Sequence, residues 1–360
     1  MRGDDRNSGL LPSAPKRDIQ RAVEAQIARG GGIVRIDAPA HAPYRNPILI
    51  WGGADVQLLG WDAKPWYVQP SVRHTGGFQT MGGGVYRKAA GASEDLGVVW
   101  DESLPNAQGR PTALYRAKTD SAQPAAGRFA LFGGYLYLRL PGDVSPNGHA
   151  IEVAKAKAAI SVANGSGSHV VVEHARLRGG TYAGLDVGTL AVGANLYVRL
   201  TSSEYATNGF AARGAYSEST FRDCETRYNS NDGFNIHGRG SVASTMVLTD
   251  CLSEWNLDEG ASPHDNTRLI VRRGTYRDNG EAGFHAINTA TMELTNVVVQ
   301  RNSRNRTMGY YGGIDFNNDT RGKIQGCTIE GNFGPGFWRL KPVNVRVSDT
   351  VSRGNSQADR

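Results

Sequence analysis

The sequence predicts an all-β protein, built mainly as a right-handed parallel β-helix (a solenoid) with an N-terminal helical cap and an antiparallel β insertion. Three observations lead to this prediction: a repeat of about 23 residues, a glycine followed by an apolar residue in most repeats, and short β-branched runs separated by polar turns. A fixed period of this length is typical of solenoids, in which each repeat forms one turn.

The repeat is clearest in the second half of the chain. Glycine precedes an apolar residue at Gly209-Phe210, Gly233-Phe234, Gly260-Ala261, Gly283-Phe284, Gly313-Ile314 and Gly336-Phe337. Asparagines recur at intervals of 27, 23, 23, 30 and 23 residues, at Asn229, Asn256, Asn279, Asn302, Asn332 and Asn355. We expect the phenylalanines of the repeat to stack in one interior column and the asparagines to form a structural ladder at an inward turn.

The three cysteines occupy one repeat position, because each stands five residues before an asparagine of the ladder. Cys224, Cys251 and Cys327 therefore take the place held by small or β-branched residues in other turns. Their spacing lacks the C-x-x-C pattern of metal sites. We predict buried free thiols, and no metal site.

The first part of the chain predicts a capped solenoid end. Residues 1–14 are polar and predicted to be disordered, and residues 15–60 to form the helical cap and the first turns. An amphipathic period over 16–29, ended by three glycines, predicts a helix. Strands are expected at 33–36 and 56–60. Such a helix would cover the open end of the solenoid core.

Residues 61–146 lose the repeat and predict an inserted β region. Alternating apolar residues on either side of Gly133-Gly134 predict a hairpin with strands at 128–132 and 135–141. The insertion either packs against the solenoid and widens it or forms a wall of a substrate groove, and the sequence leaves both roles open. The parallel β-helix resumes and runs over 147–360, carrying the active-site groove.

Strand alternation predicts which side chains of the solenoid point outward. One outward column reads Asp186, Ala211, Asn235, Ser262, His285, Asp315 and Trp338, and a second reads Gly188, Arg213, His237, His264, Ile287, Asn317 and Leu340. Three histidines thus fall within a few turns of each other. A single turn replaces the glycine-aromatic pattern with Ser262-Pro263-His264-Asp265, and its proline would disturb the strand there.

The segment 260–284, GASPHDNTRLIVRRGTYRDNGEAGF, resembles the catalytic segment of the mannuronan (alginate) C5-epimerases, within the pectin-lyase-like β-helix enzymes. The hallmark of that family is Asp-Pro-His followed by an acidic residue, and Pro263, His264 and Asp265 fit it. Ser262 stands where the motif aspartate belongs, and Glu259 where a tyrosine does. The resemblance implies that His264 serves proton transfer.

The implied chemistry is proton abstraction at C5 of a uronate in an acidic glycan. It needs a base at the carbon and neutralisation of the neighbouring carboxylate. Return of the proton to the opposite face would give an epimerase, whereas departure of the 4-linked sugar would give a β-eliminating lyase. The candidate catalytic residues are His264, His237, His285, Asp265, Tyr310 and Tyr311. The candidate substrate-binding residues are Arg213, Asn235, Asp315, Asn317, Trp338, Arg339 and Lys341.

Two other functions remain open. Asp232, one turn before Asp258 and Glu259, with Arg339-Leu340-Lys341 later, resembles the layout of polygalacturonase-type inverting hydrolases, although a Gly-His-Gly turn is missing. These three acids are the alternative acid and base. The third reading is a non-catalytic glycan-binding β-helix, such as a phage tail protein or surface adhesin.

The expected partner is an acidic polysaccharide, which suits a net charge of +6 that is spread along the chain. No basic motif interleaved with aromatic residues predicts nucleic-acid binding, and no apolar run predicts a membrane span. No cofactor is predicted, and a Ca²⁺ requirement and the oligomeric state are left open. We expect a secreted or extracellular protein, with a signal segment removed or with export by another route, for example on a phage particle.

Overall fold

The structure is a computed structural model that describes residues 4, 6, 16–51, 54–89, 96–162, 169–188, 194–213, 218–238, 244–305, 312–340 and 344–359. It is a parallel β-helix, as predicted. Residues 1–14 are predicted to be disordered, and all of them except Asp4 and Arg6 lie outside the described residues. In the described part of the chain no helix is long and apolar enough to cross a membrane.

A short helix closes the N-terminal end of the solenoid. The first elements are α1 (Ile19–Ile27), β1 (Gly31–Ile36), β2 (Ile48–Ile50), β3 (Asp55–Gly60) and β4 (Trp66–Val68). The helix begins after Asp18 because the side chain of Asp18 accepts a hydrogen bond from the Arg21 amide at 3.1 Å. Val23 of α1 is fully buried in the same core as the first strands. The predicted cap is therefore present.

The insertion is an eight-stranded sheet that is antiparallel apart from one parallel pair. Its strands are β5 (Ser71–His74), β6 (Gln79–Gly82), β7 (Val85–Ala89), β8 (Val98–Pro105), β9 (Pro111–Arg116), β10 (Arg128–Phe132), β11 (Tyr135–Arg139) and β12 (Ile151–Ala154). The hairpin of β10 and β11 has the predicted Gly133-Gly134 link. The bounds differ from 61–146 because β4 pairs with a solenoid strand, whereas β12 pairs with β5 and β8.

The remaining strands stack as parallel turns. They are β13 (Ala158–Val162), β14 (His169–Glu173), β15 (Ala175–Arg178), β16 (Ala183–Val187), β17 (Asn195–Arg199), β18 (Ser202–Glu204), β19 (Asn208–Arg213), β20 (Glu218–Arg222), β21 (Glu225–Arg227), β22 (Phe234–His237), β23 (Ser244–Glu254), β24 (Ala261–His264), β25 (Thr267–Arg277), β26 (Phe284–Ala286), β27 (Thr291–Thr295), β28 (Val298–Gln300), β29 (Ile314–Phe316), β30 (Arg321–Gln325), β31 (Thr328–Glu330), β32 (Phe337–Arg339), β33 (Asn344–Ser348) and β34 (Val351–Arg353).

The turns form two sheets around one core. We call the sheet of β2, β13, β16, β19, β22, β24, β26, β29 and β32 the site sheet, and the other solenoid sheet the back sheet. The predicted phenylalanine column is present: Phe210 pairs in register with Phe234, and their rings stack at 5.4 Å. Cys224, Cys251 and Cys327 are buried free thiols, as predicted.

Candidate active site

The site sheet has the register that the sequence predicts. Asn235 pairs with Ser262, and His237 with His264. The first outward column is more buried than the side chains of an open groove would be. Ser262 is 1% exposed, His285 4% and Asp315 0%. Acidic side chains from the turns before these strands lie against Ser262 and His285, through Asp232 and Glu259 respectively.

The acidic side chains stand in the turns that lead from the back sheet into the site sheet. Asp232 precedes Gly233, and Asp258 and Glu259 precede Gly260 one turn later. Their nearest carboxyl oxygens lie within 4.8 Å of one another. A Cβ at position 233 would overlap the Ser253 hydroxyl, so glycine is required for the close stacking that brings these acids together.

Hydrogen bonds link the acids to two histidines across adjacent turns. His285 Nδ1 lies 2.8 Å from Glu259 Oε1, and the Glu259 carboxyl hydrogen-bonds to Asp232. The Ser262 hydroxyl donates to Asp232 Oδ2, and Ser262 Oγ lies 3.2 Å from His264 Nε2. The two histidines are thus joined through two carboxyl groups and one hydroxyl.

Burial and mutual repulsion make two of the acids hold their protons. Burial, and then the charges of Asp232 and Glu281, raise the pKa of Asp258 to about 8. Burial, and then the charges of Asp232 and Asp258, raise the pKa of Glu259 well above its ordinary value. Asp232 accepts a hydrogen bond from Asn235 Nδ2 at 2.5 Å and another from the Ser262 hydroxyl. Asp232 therefore lies beside two acids whose pKa is raised.

The three predicted histidines are neutral at physiological pH. Burial, followed by the charge of a neighbouring histidine, lowers the pKa of both His264 and His285 to about 4. Burial also lowers the pKa of His237, whose ring stacks on His264 at 4.0 Å. The His285 contact with Glu259 is accordingly a hydrogen bond between neutral groups. Asp265, half-exposed, lies 3.9 Å from His237 and accepts from Asn288.

The predicted carboxylate-binding arginine is already held by an acid. Arg213 forms an ion pair with Asp186 at 2.8 Å, and its guanidinium lies 4.1 Å from the centre of the Tyr182 ring. Lys157 binds the same carboxylate at 3.0 Å. Binding of a substrate carboxylate by Arg213 stays a prediction, and its guanidinium already has one carboxylate partner in Asp186.

The other predicted binding residues are spread along the later turns. Asp315 is buried, its Oδ1 accepts from the Gly312 amide at 2.7 Å, and burial raises its pKa well above the usual value. Asn317 follows in the next outward position, Trp338 is half-buried and Arg339 is exposed. Tyr310, Tyr311 and Lys341 lie outside the described residues.

The acids Asp232, Asp258 and Glu259 are close enough to share a cation in geometric terms. Two hydrogen donors already point at Asp232 Oδ2, however, and a cation there would face their positive ends. Asp232 Oδ2 satisfies these two donors, and the raised pKa values of Asp258 and Glu259 favour protons on those two acids, so we treat the three as a proton-sharing cluster.

The sequence analysis missed Glu281. Its carboxyl hydrogen-bonds to Asp258, and its amide donates to the Asp258 carbonyl at 3.1 Å. The available signal was its position two residues before Gly283, which repeats the position of Asp258 before Gly260. The acids thus continue over three turns.

No family model matches the sequence, and no curated protein matches it. A solved structure described as a glycoside hydrolase superposes with a TM-score of 0.64 at 8% identity, covering 97% of this chain and 95% of that chain. The A-modules of two Azotobacter vinelandii mannuronan C-5 epimerases give TM-scores of 0.44 and 0.39 at 13% and 15% identity, covering 95% and 93% of this chain and 92% and 94% of theirs. The similarity to the glycoside hydrolase structure shows a shared fold.

Proposed function

We propose that the protein is a glycoside hydrolase that cleaves a polysaccharide at the Asp232–Asp258–Glu259 cluster. The observation that carries this proposal is a carboxyl group, Asp232, that accepts two hydrogen bonds and lies beside two carboxyl groups whose pKa is raised by burial and by neighbouring acids. Glycoside hydrolysis uses such a pair, in which one acid protonates the leaving oxygen and the other carboxylate assists attack at the sugar carbon.

Asp258 is the proposed general acid. It is the least buried of the three acids, and a pKa of about 8 keeps it protonated at neutral pH. Its proton passes to the glycosidic oxygen as the bond to the anomeric carbon breaks. Asp232, whose Oδ1 makes no hydrogen bond among the described residues, attacks that carbon and forms a glycosyl ester. Water then displaces Asp232 from the carbon and gives its proton to Asp258, which acts as base in this second step.

The spacing of the acids bears on the stereochemical outcome. Oxygens within 4.8 Å are closer than the roughly 6.5–9.5 Å that usually separates carboxyl groups in inverting enzymes and nearer to the roughly 5 Å of retaining ones. Proton NMR of the first product anomer tests this directly.

Proton abstraction at C5 of a uronate, by an epimerase or a lyase, is the second candidate. It is favoured by His264, a neutral imidazole stacked on His237 at the edge of the acid cluster. A pKa of about 4 makes His264 a weaker base than a free histidine, and base strength limits removal of a carbon-bound proton. The carboxyl cluster is therefore ranked first.

The test compares products and variants. Wild-type protein is incubated with hexamers of galacturonate, mannuronate and glucose and followed by reducing ends, absorbance near 235 nm and proton NMR. We expect new reducing ends without unsaturation, and a loss of about a hundredfold or more in Asp258→Asn, the usual scale for a general acid. Asp250→Asn is the matched control, because Asp250 lies on the back sheet and pairs with Arg273.

An unsaturated product would indicate a lyase, and an altered C5 signal without cleavage an epimerase. Either result, with loss of activity in His264→Ala and full activity in Asp258→Asn, would replace the hydrolase proposal by the second candidate.

A further inference from the structure

A cavity of about 550 Å³ lies between the insertion and the solenoid. Tyr115 and Arg128 line it from the insertion, and Trp255, Leu257, Gly280 and Arg304 from the solenoid turns. None of these residues belongs to the acid cluster. The cavity nevertheless adjoins it along the chain, because Asp258 follows Leu257 and Glu281 follows Gly280.

The cavity is cationic. In the described part of the chain its lining holds two arginines and no carboxyl group, and neither arginine forms an ion pair. Both guanidinium groups lie close enough to the Tyr115 phenol to oppose the rise in its pKa that burial causes. This charge is opposite to that of the neighbouring acid cluster.

Arg304 is held in position before any ligand binds. Its guanidinium lies 4.1 Å from the centre of the Trp255 ring, and its Nη1 donates to the Asp278 carbonyl at 3.2 Å. A guanidinium oriented in this way loses little freedom on binding a carboxylate and can form two parallel hydrogen bonds with it. Arg128 lies 5.8 Å from the centre of the Tyr115 ring on the insertion side.

Aromatic side chains supply surfaces for a sugar ring. Tyr115 is half-buried in the cavity wall, and Phe333 at its border is 37% exposed. An aromatic ring with an apolar face and a polar rim of amides, here Asn106 and Asn305, suits a pyranose, whose C–H face is apolar and whose hydroxyl groups need partners.

We propose that this cavity is a subsite for a uronate residue of the polysaccharide, with its carboxylate bound by Arg128 and Arg304 and its ring against Tyr115 and Phe333. That the bound chain is also the substrate rests on the proposed function, whereas binding in the cavity does not. The acid cluster would then act on a glycan whose charged residue is held in the adjoining cavity, where the described lining contains no carboxyl group.

Binding is measured by calorimetry on the Asp258→Asn protein, which is expected not to turn over its ligand. The probes are hexamers of galacturonate and mannuronate, a glucose hexamer and a sulfated glucose hexamer. We expect at least one uronate hexamer to bind, and Arg128→Gln and Arg304→Gln each to weaken it about tenfold or more, as for loss of a charge-assisted hydrogen bond. Arg35→Gln, exposed on the back sheet, is the control.

Unchanged uronate affinity in both arginine variants, with the thermal midpoint of the parent protein retained, would overturn the subsite. Equal binding of the glucose hexamer would overturn the charge recognition, and tighter binding of the sulfated hexamer would replace the uronate by a sulfate ester. Arginine-dependent uronate binding with no cleavage by wild type would refute the proposed function alone. Cleavage without such binding would refute the subsite alone.

Discussion

At the scale of single residues, the acidity of Asp258 depends on its neighbours. Asp232 and Glu281 both carry charge close to it, and it is largely removed from water. Both effects disfavour its ionised form and so raise its pKa. In an enzyme that uses Asp258 as general acid, activity is present while the carboxyl is protonated and is lost as the pH rises through about 8.

Glu281→Gln should move this alkaline limit to lower pH. The substitution removes one negative charge but keeps a side chain of similar shape, so the pKa of Asp258 falls toward its ordinary value. The pH dependence of kcat/KM measures the shift. Glu293→Gln is the control, since Glu293 pairs with Arg268 on the back sheet.

If the alkaline limit of kcat/KM stays at the same pH in Glu281→Gln, a group other than Asp258 controls the loss of activity at high pH. A reaction governed by His264 as base would instead lose activity on the acid side, as the pH falls through about 4.

The sequence predicted most of the residues that the structure brings together in the candidate site, but it did not predict their protonation states. Asp232, Asp258 and Glu259 were found as turn acids, and strand alternation placed His264 and His285 in adjacent outward columns. That His285 is buried follows from its contact with Glu259, which lies 26 residues earlier and in the turn below. Such contacts between turns depend on the lateral displacement of the turns, which a repeat pattern does not specify.

At the scale of the repeat, the asparagine ladder holds successive turns together. The side-chain amide of Asn256 donates to Asn279 Oδ1 at 3.0 Å, and that of Asn279 donates to Asn302 Oδ1 at 3.0 Å. The backbone amide of each asparagine donates to the same oxygen as its side chain. Each buried oxygen thus satisfies two buried donors.

Asn279→Ala should lower the free energy of unfolding by at least about 2 kcal/mol, since it leaves several buried polar groups of Asn256, Ser253 and Asn302 without this partner. Chemical denaturation measures the loss. Asn355→Ala, at the half-buried end of the ladder, should cost less because water can replace its oxygen. An equal loss of unfolding free energy in the two variants would contradict the expectation that burial of the asparagine sets the size of the loss.

The repeat was predictable because one asparagine and one glycine mark nearly every turn. The bounds of the insertion were harder to predict from the sequence. Trp66, next to Pro65 and in a segment without the glycine-aromatic step, gives no sign of a solenoid strand, yet it pairs with Ala175 on the back sheet. Pairing over 109 residues is a property of the folded chain and leaves no local pattern.

At the scale of the whole molecule, an aromatic stack joins the insertion to the solenoid. Trp100 of β8 stacks on Tyr205 at 5.4 Å, and Tyr205 stacks on Tyr228 of the next turn at 5.7 Å. The Tyr205 hydroxyl donates to the Pro111 carbonyl of the insertion at 3.0 Å. The insertion therefore shares a core with the solenoid, and the cationic cavity lies along this junction.

Two substitutions of Tyr205 distinguish the contribution of the aromatic stack to stability from that of the hydrogen bond. Tyr205→Ala should cost about 3–5 kcal/mol, as for other large aromatic residues removed from a core, whereas Tyr205→Phe should cost about 1 kcal/mol for the lost hydrogen bond. Residue 205 has a φ of 57°, and this left-handed backbone strains alanine and phenylalanine as it strains tyrosine. The comparison therefore measures packing rather than backbone strain.

Thermal unfolding and limited proteolysis provide the readout. We expect Tyr205→Ala to lower the midpoint and to make the insertion the first part cleaved, because its contact with the solenoid is lost. Tyr135→Ala removes an aromatic side chain that is 37% exposed on the insertion, and it should leave both readouts near those of the wild type. A Tyr205→Ala protein as stable and as protease-resistant as Tyr135→Ala would mean that the insertion is held by contacts other than this stack.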